Sequence, residues 1–345
     1  MRPRPERGSR VFGLLSCALI VLLAASFASA QISVQQPPPP PNTPQPAPSQ
    51  GGYTIHSNVN LVLLHVSILD ERGVFVPGLK QENFRVFEDK VEQKLSVFKQ
   101  EDVPVSVGLV IDNSGSMRDK RPEVNTAALT FVQTSNRQDE AFVVNFNDDY
   151  YLDTEHDFTN DIDEMKAALE RIDARGSTAL YDAIIGSLDH LKKGHKDKKV
   201  LLVITDGEDN ASQRHLSDAI EDAQRTDALI YAIGLYSKED YHDERRAMNK
   251  AKRELQQLAQ STGGLAFFPE EVDDTEAICT QIAHDIRNQY TLAYYPTNAR
   301  KDGSFRNVRV DAFSSGNHAK LAVRTRPGYY APKLNTSTTA AASGQ

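Results

Sequence analysis

Between residues 103 and 288 the chain alternates short apolar runs with segments of helical period. The runs at 105–111, 141–146, 199–205, 228–234 and 264–268 are nearly unbroken in Val, Leu, Ile, Ala and Phe, the pattern of strands covered on both faces. Helical spacing predicts helices near 119–135, 160–172, 179–193, 214–226 and 245–261, with a last one over 275–288. Strands alternating with helices of this length predict an α/β fold, a doubly wound and mainly parallel sheet with helices on both faces.

The flanks at 53–102 and 289–332 read differently. NLVLLHVSIL (60–69), FRVFE (84–88) and 94–98 on one side, and QYTLAYY (289–295), RNVRVDAF (306–313) and KLAVRT (320–325) on the other, are rich in Val, Leu, Phe and Tyr and show no helical period. Turn sequences such as Asp302-Gly303-Ser304 and Ser315-Gly316-Asn317 separate them. Neither flank has enough strands to bury a sheet alone. The two are therefore expected to join into one smaller β-sandwich-like domain, with the α/β domain of 103–288 inserted between its halves.

The ends carry no core pattern. Arg2, Arg4, Arg7 and Arg10 precede an apolar run over 11–27 and the small-x-small triplet Ala28-Ser29-Ala30, so residues 1–30 read as a signal peptide; the run is short of the ~20 residues a spanning helix needs. This predicts an exported protein, periplasmic or secreted, with no stable membrane insertion after cleavage. Residues 31–52, with Pro37 to Pro41 unbroken, read as a semi-rigid Pro-rich linker, and 333–345 as a disordered tail. The formal net charge is -8. Loss of residues 1–30 removes four arginines and one glutamate and takes it to -11, which argues against nucleic acid and anionic membrane as partners. Cleavage also leaves Cys279 as the only cysteine, so no intramolecular disulfide can form. Its place beside Ile278, Ile282 and Ile286 reads as that of a small buried hydrophobe.

The candidate chemistry lies where apolar runs end. VGLVIDNSGSM (107–117) runs out of its strand into Asp112, Ser114 and Ser116 at two-residue spacing, and alternate residues of an extended loop project to one side. GSTALYDAI puts Thr178 in a loop before a helix, and VLLVITD ends a second strand in Asp206. In a parallel sheet all strand carboxyl ends share one edge, where ligands bind at the point of strand-order reversal. Asp112, Ser114, Ser116, Thr178 and Asp206 can meet there. Asp182, Glu208 and Asp209 read as loop-fixing or solvated charges. The clusters Asn147-Asp148-Asp149 and 161–164 lack a calcium-site spacing, and one of them reads as a helix N-cap.

At these residues the chain resembles the von Willebrand factor type A (VWA) domain, whose metal-ion-dependent adhesion site (MIDAS) combines a D-x-S-x-S loop, a threonine in a second loop and an aspartate in a third. The flanks resemble a bacterial, exported VWFA-related family. The resemblance implies Asp112, Ser114, Ser116, Thr178 and Asp206 as metal ligands, Mg2+ as the ion with Mn2+ or Ca2+ as alternatives, and an Asp or Glu of a protein partner as the completing ligand. The chemistry is consistent with that use: three of the five ligands are neutral hydroxyls, and with some of the set acting through water a divalent ion keeps residual positive charge. The expected function is an adhesion or interaction module. Two other classes compete with it, a structural envelope-assembly component with a stabilising metal and a metal-assisted hydrolase. Against the last, and for a non-enzyme, the sequence shows no G-x-S-x-G elbow, no zincin helix, no Walker loop, and no His or Glu placed by motif as a general base.

Overall fold

Eight consecutive residues from Val105 to Asp112 are buried, and this strand, β5, lies inside the larger of the sheets. In the computed structural model the described residues are 61–333, apart from 72–73, 101, 172, 237–244 and 317–318. The predicted signal peptide and linker, and all but the first residue of the predicted tail, lie outside them. The strands before β5 are β1 (Val62–Leu69), β2 (Phe84–Glu88), β3 (Val91–Gln93) and β4 (Leu95–Lys99). After it come α1 (Arg121–Thr134), β6 (Glu140–Phe146), β7 (Tyr150–Leu152), α2 (Ile162–Leu169), α3 (Leu180–Leu191), β8 (Lys198–Thr205), α4 (Leu216–Thr226), β9 (Ala228–Gly234), α5 (Arg245–Thr262), β10 (Ala266–Phe267) and α6 (Thr275–Arg287). The chain then returns through β11 (Tyr290–Tyr294), β12 (Phe305–Ala312), β13 (Ala322–Arg324) and β14 (Gly328–Tyr330).

The six-stranded sheet has the order β10-β9-β8-β5-β6-β7 and is parallel except for β7, which runs antiparallel to β6 at one edge. Its strands are apolar throughout because both faces are covered. Leu109 and Ile111 pack on one face with Val124 and Phe131 of α1 and Cys279 and Ile282 of α6, while Val110 packs on the other with Ile184 of α3 and Leu258 of α5. The predicted doubly wound sheet is thus observed. Burial lifts the Cys279 thiol to about 12, as suits an inert core residue.

The flanks form two antiparallel four-stranded sheets, β13-β1-β11-β4 and β14-β12-β2-β3. Each draws strands from both sides of the inserted α/β segment. Val66 and Ile68 of β1, Val86 of β2, Leu292 of β11 and Val310 of β12 belong to one core between them. A buried glutamate sits within that core: Glu88 Oε2 accepts hydrogen bonds from the hydroxyls of Tyr294 (2.9 Å) and Tyr329 (2.8 Å), which satisfies that oxygen away from water.

A polar junction ties the two cores together. Asp285 near the end of α6 accepts from Tyr231 of β9, from Arg324 of β13 and, at 3.3 Å, from Ser67 of β1. Arg324 also donates to the Ser67 hydroxyl at 2.8 Å. Close by, Lys198 at the start of β8 is 3 % exposed, and its ammonium donates to the carbonyl of Ile286 in the last turn of α6. Burial pulls its pKa from 10.5 to about 7, against the opposing pull of Asp285, Asp102 and Asp139.

Two stability predictions follow from this junction. Between pH 7 and about 10.5 only the unfolded chain keeps the Lys198 proton, so the fold gains stability as pH rises through that window, by at most about 1.4 kcal/mol per unit. Urea unfolding of wild type and Lys198→Met should therefore show the variant more stable at pH 6 and its advantage shrinking above pH 7; a gap independent of pH would remove the buried charge from the account. Asp285→Ala leaves Arg324 half-buried without its carboxylate and should cost about 3 kcal/mol in the same assay.

Candidate functional site

Asp112 is the last residue of β5 and is fully buried. The register pairs Ile111 with Ile204 of β8, so Thr205 comes level with Asp112, and its hydroxyl donates to Asp112 Oδ2 at 2.5 Å. The other carboxylate oxygen accepts from the Ser114 amide at 2.8 Å. The chain then turns through a short 3-10 segment, Gly115–Met117, anchored by the buried Met117 side chain. This turn brings Ser114 Oγ and Ser116 Oγ to 3.2 Å of each other, and Ser116 Oγ donates to Asp206 Oδ1 at 2.7 Å. Four of the five predicted side chains thus stand in one oxygen cluster drawn from the carboxyl ends of two neighbouring strands.

Thr178 is held beside them by its backbone. Its amide donates to Asn210 Oδ1 (2.9 Å), and its carbonyl accepts from the amides of Asn210 (3.1 Å) and Ala211 (3.3 Å). Gly207, directly after Asp206, approaches the threonine so closely that a Cβ there would meet Thr178 Oγ1 at 3.2 Å. The threonine loop is also tied to the D-x-S-x-S loop. The Arg175 amide donates to the Asn113 carbonyl (3.2 Å), the Gly115 amide to the Gly176 carbonyl (3.4 Å), and Arg118 to the Ala174 carbonyl (2.9 Å). Gly176 has φ 77°, and the space its Cβ would fill holds the Asp148 carboxylate, which accepts from the Ser177 amide.

The neighbouring acids have structural jobs. Asp182 accepts from the amides of Gln213 (2.8 Å) and Arg214 (3.1 Å), and Asp209 from the Tyr181 amide in the first turn of α3 (3.1 Å). Asp209, expected as a solvated charge, instead serves an orphan donor at a helix start. Asp161 caps α2 through the amides of Asp163 and Glu164.

Two basic residues next to the loop carry no sequence signature of a site. Arg121, in the first turn of α1, is fully buried and donates to Asn145 Oδ1 and the Leu169 carbonyl, both at 2.9 Å, and to the Asp112 carbonyl at 3.4 Å. Lys120, the N-cap of α1, donates to Asp206 Oδ2 at 2.5 Å and to the Leu235 carbonyl at 3.1 Å. Nothing in the local pattern could have linked Lys120 to an aspartate on another strand.

The electrostatics favour a cation. Burial lifts the Asp112 carboxyl to about 6; the Thr205 hydroxyl works against that rise and nearby Asp206 adds to it. The donors are all oxygens, carboxylates and hydroxyls in mutual contact, and this set fits a hard divalent ion such as Mg2+ better than a soft one. Among the described residues no group of three or more His, Cys, Asp or Glu is placed to hold a metal, and no helix is long and apolar enough to cross a membrane.

The class of protein is set by the sheet with its carboxyl-edge cluster together with the family model that fits the chain. The von Willebrand factor type A domain matches residues 106–281, half of the chain and nearly all of its α/β part. The chain belongs to this family. Solved structures similar to it include a von Willebrand factor type A protein from Catenulispora acidiphila (13% identity, 81% of this chain and 76% of that one, TM-score 0.47). BatB, a conserved hypothetical protein from Bacteroides thetaiotaomicron, is similar at 19% identity over 53% of this chain and 98% of its own, TM-score 0.43. Proximal thread matrix protein 1 from the mussel byssus, with a zinc occupied MIDAS motif, is similar at 16% identity over 58% of this chain and 49% of its own, TM-score 0.43. No curated protein matches the chain.

Arg121→Leu should leave the Asn145 amide oxygen short of a donor beneath the loop and loosen the floor on which Asp112 rests. The expected loss is about 2–4 kcal/mol in urea unfolding without metal; a loss under about 0.5 kcal/mol would mean that the guanidinium does not hold the loop.

Proposed function

We propose that the chain is an exported, metal-dependent protein-binding module in which Asp112, Ser114, Ser116, Thr178 and Asp206 hold a Mg2+ ion that captures an acidic side chain of a partner. In this reading residues 1–30 are the signal peptide and 31–52 a spacer, 103–288 form the VWA domain, 53–102 and 289–332 supply the β-rich base, and 333–345 trail as a tail. The observation that carries it is the continuous contact from Ser114 Oγ through Ser116 Oγ to Asp206 Oδ1, beside an Asp112 carboxylate fixed on both oxygens.

Each residue has a task. Asp112 supplies buried negative charge, and the Thr205 hydroxyl and Ser114 amide fix its rotamer before any ligand arrives. Ser114 and Ser116 present lone pairs, and Ser116 can do so while its own proton stays directed at Asp206 Oδ1. Thr178, held by Asn210 and Ala211, offers a hydroxyl on a loop tethered to the first one. Held by these residues, Mg2+ would supply a Lewis-acidic position with a preference for anionic oxygen. The three hydroxyls add no charge of their own, so the protein offers the ion no more than two carboxylates and leaves a place in its shell for a partner's.

Calorimetric titration of Mn2+ into EDTA-stripped protein should show one site, weakened at least about 100-fold in Asp112→Ala and Ser116→Ala while circular dichroism stays unchanged. Capture of partners from cell envelope and medium should then require Mg2+ and fail in EDTA. Equal Mn2+ binding by wild type and Asp112→Ala would remove these ligands from the site. Capture indifferent to EDTA would leave the metal a stabilising role only.

A further inference from the structure

Lys120 is unused by the scheme above, yet its ammonium is in direct contact with one of the two site carboxylates. It donates to Asp206 Oδ2, whereas Ser116 occupies Oδ1 of the same group. The Asp206 side chain is 1% exposed and that of Lys120 19%. The ammonium is also held by the Leu235 carbonyl, one residue past the end of β9, so the fold positions it from two sides. Its backbone is fixed as well, because Lys120 caps α1 and its carbonyl accepts the Val124 amide at 3.1 Å.

We infer that Lys120 is a resident counter-charge that sets how the site divides its attraction between the metal and the partner's carboxylate. This rests on the metal-binding reading above and deepens it. The ammonium cancels one of the two carboxylate charges without taking a place in the hydroxyl cluster, since it reaches the Asp206 oxygen that Ser116 does not use. A divalent ion bound beside it is attracted less strongly by the protein. In return the loaded site retains a full positive charge for an incoming anionic oxygen. A positive group a few ångströms from a divalent ion changes its affinity by about tenfold or more even where solvent screens the pair. Lys120 thus trades metal affinity for ligand affinity, a role that its charge carries and its shape does not.

The test compares wild type, Lys120→Met and Lys120→Arg, using Mn2+ alone and then acetate as a minimal carboxylate. Mn2+ affinity is read by electron paramagnetic resonance, and acetate binding to the Mn2+-loaded proteins by the fall in water-proton relaxation as bound water is displaced. Lys120→Met should bind Mn2+ at least about tenfold tighter than wild type and bind acetate more weakly, while Lys120→Arg, which keeps the charge, stays within about twofold on both. Lys120→Met binding Mn2+ equally or more weakly, with metal-free melting showing the variant folded, overturns the inference and leaves the metal site standing. Wild type binding no Mn2+ at all overturns the metal site itself. The two failures are therefore separable.

Discussion

The structure turns on a buried carboxylate that is not allowed to move. Asp112 sits fully buried at the end of a strand with neighbours on both sides, where an unpaired charge would be expensive. The Thr205 hydroxyl and the Ser114 amide each engage one of its oxygens. Both donors are consequences of the fold. Thr205 is level with Asp112 because β5 and β8 run parallel in a fixed register, and the Ser114 amide turns back because the strand ends in a 3-10 turn. The rest of the cluster is arranged around that fixed point. Ser116 reaches Asp206 because the two strands end together, and the threonine loop is drawn in by hydrogen bonds to Asn113 and Gly115.

The flanking sheets contribute at the other end of the molecule. The chain enters β5 at Val105 and leaves α6 at Arg287, both at the amino edge of the parallel sheet, so the flanks attach opposite the site. Asp285, Arg324, Ser67 and Tyr231 join the two cores there, and Lys198 lies beneath the last turn of α6. Among the described residues the flanking strands make no contact with the oxygen cluster, which is built by the loops that follow β5 and β8 and the loop before α3.

Much of this was legible in the residues. The long strands announced themselves because burial on both faces demands unbroken apolar runs, as at 105–111 and 199–205, and the helices between them kept a clear period. Asp112 and Asp206 stood out because each interrupts such a run at its end. The short strands β3, β7 and β14 escaped, since each has three residues and takes its conformation from a partner strand instead of from its own pattern. Tyr150 to Leu152 is exposed throughout and shows no alternation to read. Arg121 and Lys120 escaped for another reason. Both begin a helix, where basic residues ordinarily face water and oppose the helix dipole, and only the tertiary fold shows that Arg121 holds three acceptors under the loop and that Lys120 sits on Asp206.

The function proposed for this edge requires that these oxygens hold one ion. The most direct measurement is a crystal structure of the protein grown with MnCl2, with anomalous scattering collected to locate manganese. A single strong peak is expected within coordination distance of Ser114 Oγ and Ser116 Oγ, with Asp112, Thr178 and Asp206 bound directly or through one water. An anomalous map with no peak at that edge under saturating Mn2+, or with manganese only at other surface carboxylates, would contradict the proposed function.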